Sequence, residues 1–118
     1  MILEIKEHIQ NDIRVAEVIS KEMIIKGTDD ALELMGNMYY QGFDKIIIDQ
    51  KNITPDFFDL KNKMAGDILQ KFSNHRMGLA IIGDFTTITN KSLKDFIYES
   101  NKGKQVNFLS SVNEALIR

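Results

Sequence analysis

Two short runs, Lys45-Ile46-Ile47-Ile48-Asp49 and Leu79-Ala80-Ile81-Ile82, constrain the fold more than any other feature of this sequence. Their centres are apolar without alternation, so both faces of each strand must be covered. Strands of that kind belong to parallel sheets, and a parallel pair needs a long crossover, usually a helix. The segment between the runs offers one: Thr54-Pro55-Asp56 reads as a helix start, with an N-cap, proline at the first helical position and an acid in the first turn. Phe57, Leu60, Met64, Ile68 and Phe72 then continue at helical spacing as a single apolar stripe.

The rest of the chain parses by the same periodicity. Ile2, Ile5 and Ile9, then Ile13, Val15, Val18 and Ile19, are β-branched residues mixed with charges, and Gln10, Asn11 and Asp12 between them predict a hairpin turn. After Gly27, Thr28 is the expected N-cap of a helix carrying Asp29 and Asp30 in its first turn and Ala31, Leu32, Met35, Met38 and Tyr39 as its apolar residues. Gly42 closes it. A third helix carries Leu93, Phe96, Ile97 and Ser100 and stops before Gly103; Val106, Phe108 and Leu109 mark the last strand. Ser111-Val112-Asn113-Glu114 is a capping box that opens a short final helix. The predicted order is ββαβαβαβα: a small α/β fold whose sheet is mostly parallel, with one antiparallel strand from the hairpin and helices packed on it. Its length, 118 residues, is that of one domain.

Composition narrows the function classes. Fifteen Lys and Arg against seventeen Asp and Glu leave a net charge of -2, with no long block of one sign, so a dominant nucleic-acid footprint is not expected. The absence of cysteine removes disulfides, thiol nucleophiles and cysteine-based zinc sites. No apolar run reaches the length of a membrane span, and Glu4, Lys6 and Glu7 are foreign to a signal peptide. A cytoplasmic protein is the expectation.

Chemistry has few starting points. Open parallel sheets bind ligands beyond the C-terminal ends of their strands. Two loops lie there, Asp49-Gln50-Lys51-Asn52 and Gly83-Asp84-Phe85-Thr86-Thr87. Asp49 and Asp84 could hold Mg²⁺ through carboxylate and water oxygens, with Lys51 or Lys91 on a phosphate; the competing reading makes both acids turn residues bonded to local backbone. His8 and His75 have no second ligand at local spacing, and His75 is placed to meet helix C-terminal carbonyls. There is no P-loop, dinucleotide fingerprint or nucleophile elbow. The adjacent pair Phe57 and Phe58 cannot share one buried helix face, so one is expected toward the sheet and the other under a loop, in a cleft or at a partner. Phe85 poses the same question, as do Tyr39 and Tyr40.

Several stretches carry a family resemblance. They are Asp44-Lys45-Ile46-Ile47-Ile48, Asn52-Ile53-Thr54-Pro55-Asp56-Phe57-Phe58-Asp59-Leu60, Phe72-Ser73-Asn74, Ile81-Ile82-Gly83-Asp84-Phe85 and Asp95-Phe96-Ile97-Tyr98-Glu99-Ser100-Asn101-Lys102-Gly103. Through them nearly the whole chain resembles a bacterial family termed domain of unknown function 4180, which brings no activity with it. The order of elements is similar to that of STAS domains, the fold of the anti-sigma-factor antagonists and of the cytoplasmic ends of sulphate transporters. In the antagonists a serine at the start of the second helix, in an Asp-Ser-Ser-Gly motif, is phosphorylated. That motif is absent here, and Thr54 is the one hydroxyl at the corresponding place. It reads as an N-cap, with a phosphorylation switch as the other possibility.

The expectation is a non-catalytic regulatory or protein-binding module. It would bind a protein partner or a second copy through Thr54, Asp56, Phe57, Phe58 and Asp59. The alternative is a small-molecule or Mg²⁺-phosphate binding protein or enzyme whose site is Asp49, Asp84, Phe85 and Thr86. No cofactor is indicated.

Overall fold

The computed structural model describes residues 3–118, and Ile2 of the predicted first strand lies outside them. Strands β1 (Glu4–Gln10) and β2 (Ile13–Ile19) form the hairpin. Its loop is only Asn11 and Asp12, both at positive φ, 48° and 71°. This is the geometry of a type I′ turn, which matches strand twist and which Asn and Asp tolerate. Gln10, expected in the turn, is instead the last paired residue, opposite Ile13, and it is buried.

Helix α1 (Thr28–Tyr40) follows. Thr28, expected as its N-cap, is its first residue; Gly27 holds the cap position and makes no side-chain bond. Asp30 supplies the missing contact, its carboxylate accepting from Lys26 N at 2.9 Å. At the other end Gly42 adopts φ 88°, and Gly42 N and Phe43 N donate to Tyr39 O and Met38 O. These are the paired bonds of a Schellman stop, and the positive φ is why glycine stands there. Arg14 ties the hairpin to this corner. Its guanidinium grips both oxygens of Glu7 at 2.9 Å, donates to Gln41 O and lies 4.4 Å above the Phe43 ring.

Strands β3 (Lys45–Asp49), β4 (Gly78–Ile82) and β5 (Val106–Leu109) complete a five-stranded sheet in sequence order, parallel except for β1. Strands laid down in that order by right-handed crossovers carry all their crossover helices on one face. Accordingly α1, α2 (Met64–Asn74) and α3 (Lys91–Lys102) pack over Ala16, Ile46, Ile48, Leu79, Ile81 and Phe108. The opposite face, from Val15, Ile47, Ala80 and Leu109, is covered by Ala115 and its neighbours on α4 (Val112–Ile117). Ser111 Oγ caps α4 by accepting from Glu114 N at 3.0 Å, as the capping box predicts. The returning bond goes from Ser110 N to the Glu114 carboxylate.

The sequence predicts one helix from Pro55 to Phe72, and the structure corrects this. Residues Gln50–Asn52, Pro55–Phe58 and Leu60–Asn62 form separate 3₁₀ turns, and the α-helix begins at Met64. The physical reason is a row of short polar side chains bonded to nearby backbone. Thr54 Oγ1 accepts from Asp56 N, Asp59 Oδ1 from Lys61 N and Asn62 Oδ1 from Met64 N. Each offers the chain an alternative to the helical ladder, and Lys63, at φ 65°, sets the final break.

The outer edge of β5 is closed by side chains. Asn101 accepts from Phe108 N at 2.7 Å and donates to Phe108 O at 3.0 Å, while Ser100 Oγ donates to Val106 O. These bonds occupy groups that would otherwise template another strand.

Candidate functional site

The ends of β3 and β4 open into a cleft of about 570 Å³. Its apolar lining is drawn from distant parts of the chain: Met23, Ile53, Phe58, Ile88 and Leu93. Asp49, Lys51 and Asp84 stand at it as charged groups, beside Gln50 and Gly83. Gly83 lets Gln50 close on the strand end. A Cβ there would overlap the Gln50 amide oxygen and come within 3.0 Å of Gln50 Cβ.

Five phenylalanines support the cleft. Phe108, buried at the centre, meets Phe85 at 5.5 Å between ring centroids, Phe96 at 6.1 Å, Phe57 at 6.3 Å and Phe58 at 6.5 Å. The adjacent pair divides as its sequence requires. Phe57 is fully buried, whereas Phe58 is partly exposed and lines the cleft. Phe58 also packs 4.9 Å from Phe57 and 6.2 Å from Phe85.

The carboxylates are held by local backbone. Asp49 Oδ1 accepts from Lys51 N at 2.9 Å and so caps the turn beyond β3. Asp84 Oδ1 accepts from Thr86 Oγ1 at 2.6 Å and from Thr86 N at 3.0 Å. The Thr86 hydroxyl, and then its backbone N–H, hold the Asp84 carboxyl below its ordinary pKa. Asp84 is therefore an ionised acceptor with one oxygen committed, not a group tuned to give up a proton near neutrality.

The structure divides the remaining candidates. Phe85 and Thr86 line a neighbouring groove of about 370 Å³ that shares Gly83 and Asp84 with the cleft. Thr54 is buried, its hydroxyl engaged in the cap. Asp56 and Asp59 are exposed and outside the cleft lining. Lys51 reaches the cleft, but Lys91 pairs with Asp95 on the surface of α3 at 2.8 Å. His75 Nδ1 lies 3.0 Å from Lys71 O at the end of α2, and His8 lies 2.8 Å from Glu17 across the hairpin. Tyr39 and Tyr40 are exposed on α1. No group of three or more His, Asp and Glu side chains among the described residues is arranged to enclose a metal.

Asn52, which the sequence offers only as one member of its loop, organises one wall. Only 1% exposed, it donates from Nδ2 to Ser20 O at 2.9 Å and to Glu22 O at 2.7 Å. Its backbone carbonyl accepts from Ile24 N and Ile25 N, while its side-chain Oδ1 is buried without a hydrogen-bond partner among the described residues. These bonds lash the segment carrying Met23 to the turn after β3.

Fold and cleft together define a small α/β protein with a mostly parallel sheet and a largely apolar opening with charged groups at its strand ends. The chain belongs to the family described as Domain of unknown function (DUF4180), whose model matches residues 10–118. No curated protein and no solved structure matches it. No helix among the described residues is long and apolar enough to cross a membrane.

Proposed function

We propose that this protein is a non-catalytic binding module that recognises a protein partner through the cleft at the ends of β3 and β4. The observation that carries the reading is an open apolar lining, Met23, Ile53, Phe58, Ile88 and Leu93, flanked by carboxylates already fixed by backbone bonds. Apolar surface of this kind gains from excluding water against a partner's side chain. Asp49 and Asp84 keep oxygens for a basic or donor group at its rim. Asp49 and Asp84 each accept from a backbone N–H through one oxygen, the turn-residue role that competes with the Mg²⁺-phosphate alternative. Similarity in element order to the anti-sigma-factor antagonists supports a role in regulation by protein contact. The buried cap made by Thr54 does not support a phosphorylation switch there.

Leu93→Asp places a charge in the lining at a partly exposed position. Wild-type and Leu93→Asp proteins are compared as baits for binding partners in the native cell, with circular dichroism as the check on folding. The expected result is an unchanged fold and at least a ten-fold loss of a discrete partner, the equivalent of about 1.4 kcal/mol. A partner retained equally by both baits contradicts the cleft as the recognition site.

A further inference from the structure

The opposite end of the same strands holds a second cavity of about 420 Å³, between the hairpin turn and the starts of β3, β4 and β5. Lys45, Arg76, Lys104 and Arg118 line it, against a single acid, Asp44, one of whose oxygens accepts from Arg14 N. Lys45 is the unusual member. Its residue is only 8% exposed, and its ammonium donates to Ala115 O at 2.9 Å and to Gln10 Oε1 at 3.4 Å. Among the described residues no carboxylate pairs with it, and the ion pairs that do form lie nearer the surface. A buried charge without a counter-charge is costly, and proteins ordinarily pair or replace it. Space for this lysine is built into the sheet: a Cβ on Gly78 would lie 3.2 Å from Lys45 Cγ. Burial, and then the positive charge of Arg118, lower the Lys45 pKa from its ordinary value. The side-chain amides of Gln10, Asn11, Gln105 and Asn107 and the apolar Ile13 also line it.

We infer that this cavity binds a phosphate group, free or as the monoester of a small organic molecule, with Lys45 as its buried anchor and Arg76, Lys104 and Arg118 around it. A multivalent oxyanion supplies the counter-charge that the buried ammonium lacks, and guanidinium groups match its geometry. The cavity is separate from the cleft, and the inference stands independently of the protein-partner reading.

The test is thermal unfolding of the full chain in low-salt buffer free of oxyanions, titrated with inorganic phosphate or with ribose 5-phosphate. A saturable rise in melting temperature is expected, about 5 °C at roughly ten times the dissociation constant. Tighter binding of ribose 5-phosphate supports a monoester ligand, and equal binding supports the free anion. Lys45→Met fills the same channel with an apolar chain and is expected to stay folded while losing the shift. Lys104→Gln, at an exposed position, is expected to weaken binding about ten-fold. The site is overturned if no shift occurs, if chloride reproduces it at equal concentration, or if both variants keep it undiminished.

Discussion

Phe108→Ala is expected to destabilise the protein by about 4 kcal/mol, the cost of removing a large ring from a well-packed core. Phe108 is 3% exposed and lies on the helix-covered face of β5. Rings of Phe57, Phe58, Phe85 and Phe96 surround it at centroid distances from 5.5 to 6.5 Å. Phe57 is itself buried and cannot move far to fill the space, so much of the cavity persists. Phe58 and Phe85 are only partly buried and lose the surface they rest on. The variant therefore couples stability to the site. Urea unfolding should show the loss with little change in slope. Proton chemical shifts should move in both loops that hold these rings. A loss under about 1 kcal/mol would mean that the aromatic cluster relaxes freely and does not support the cleft.

Asn52→Ala is the second large effect, a loss of about 3 kcal/mol. Two donated bonds disappear, and the carbonyls of Ser20 and Glu22 lose the amide that serves them. Losing both donated bonds together with the packed volume of a side chain only 1% exposed accounts for a loss of that size. Asn52→Asp separates volume from chemistry: it keeps the shape but turns an acceptor toward two carbonyl oxygens. It should be at least as damaging as alanine. Amide exchange reports the mechanism: Ile24 and Ile25 donate to the Asn52 backbone carbonyl, which both variants keep, so their protection should fall only as the Met23 segment itself loosens. An Asn52→Asp protein as stable as wild type would show that volume, not the amide donor, holds this wall.

The strands that build the sheet are legible because their composition leaves no alternative. Ile46, Ile47 and Ile48 cannot alternate between core and water, and both core clusters claim them. The α4 cap is legible because Ser111 and Glu114 meet across a single turn. The segment after β3 is not, since its apolar spacing from Phe57 to Phe72 persists through residues whose side chains break the helix. Periodicity registers which residues are buried and is blind to what Thr54, Asp59 and Asn62 do to the backbone between them.

For the candidate site the division has the same origin. Asp49 and Asp84 follow from the rule that parallel strands present ligands at their C-terminal ends. Met23, Ile88 and Leu93 reach the cleft from a pre-helix segment, a loop and α3, and nothing local in the sequence brings them together. Lys45 opens a strand, where lysine usually faces solvent. Its burial arises only when the end of β1 and α4 close around it, as its contacts with Gln10 and Ala115 show. Asn101 is equally silent in sequence, because sealing an edge strand requires knowing which strand is at the edge.

The most direct test of the central claim is site-specific photo-crosslinking in the native cell. A photoreactive residue at Ile88 samples the cleft, and one at Tyr40, 91% exposed on α1, samples the surface elsewhere. A discrete adduct to one protein from position 88, absent from position 40 and lost on adding Leu93→Asp, is the predicted result. No adduct from position 88, or the same adducts from both positions, would contradict the assignment of this cleft to a protein partner.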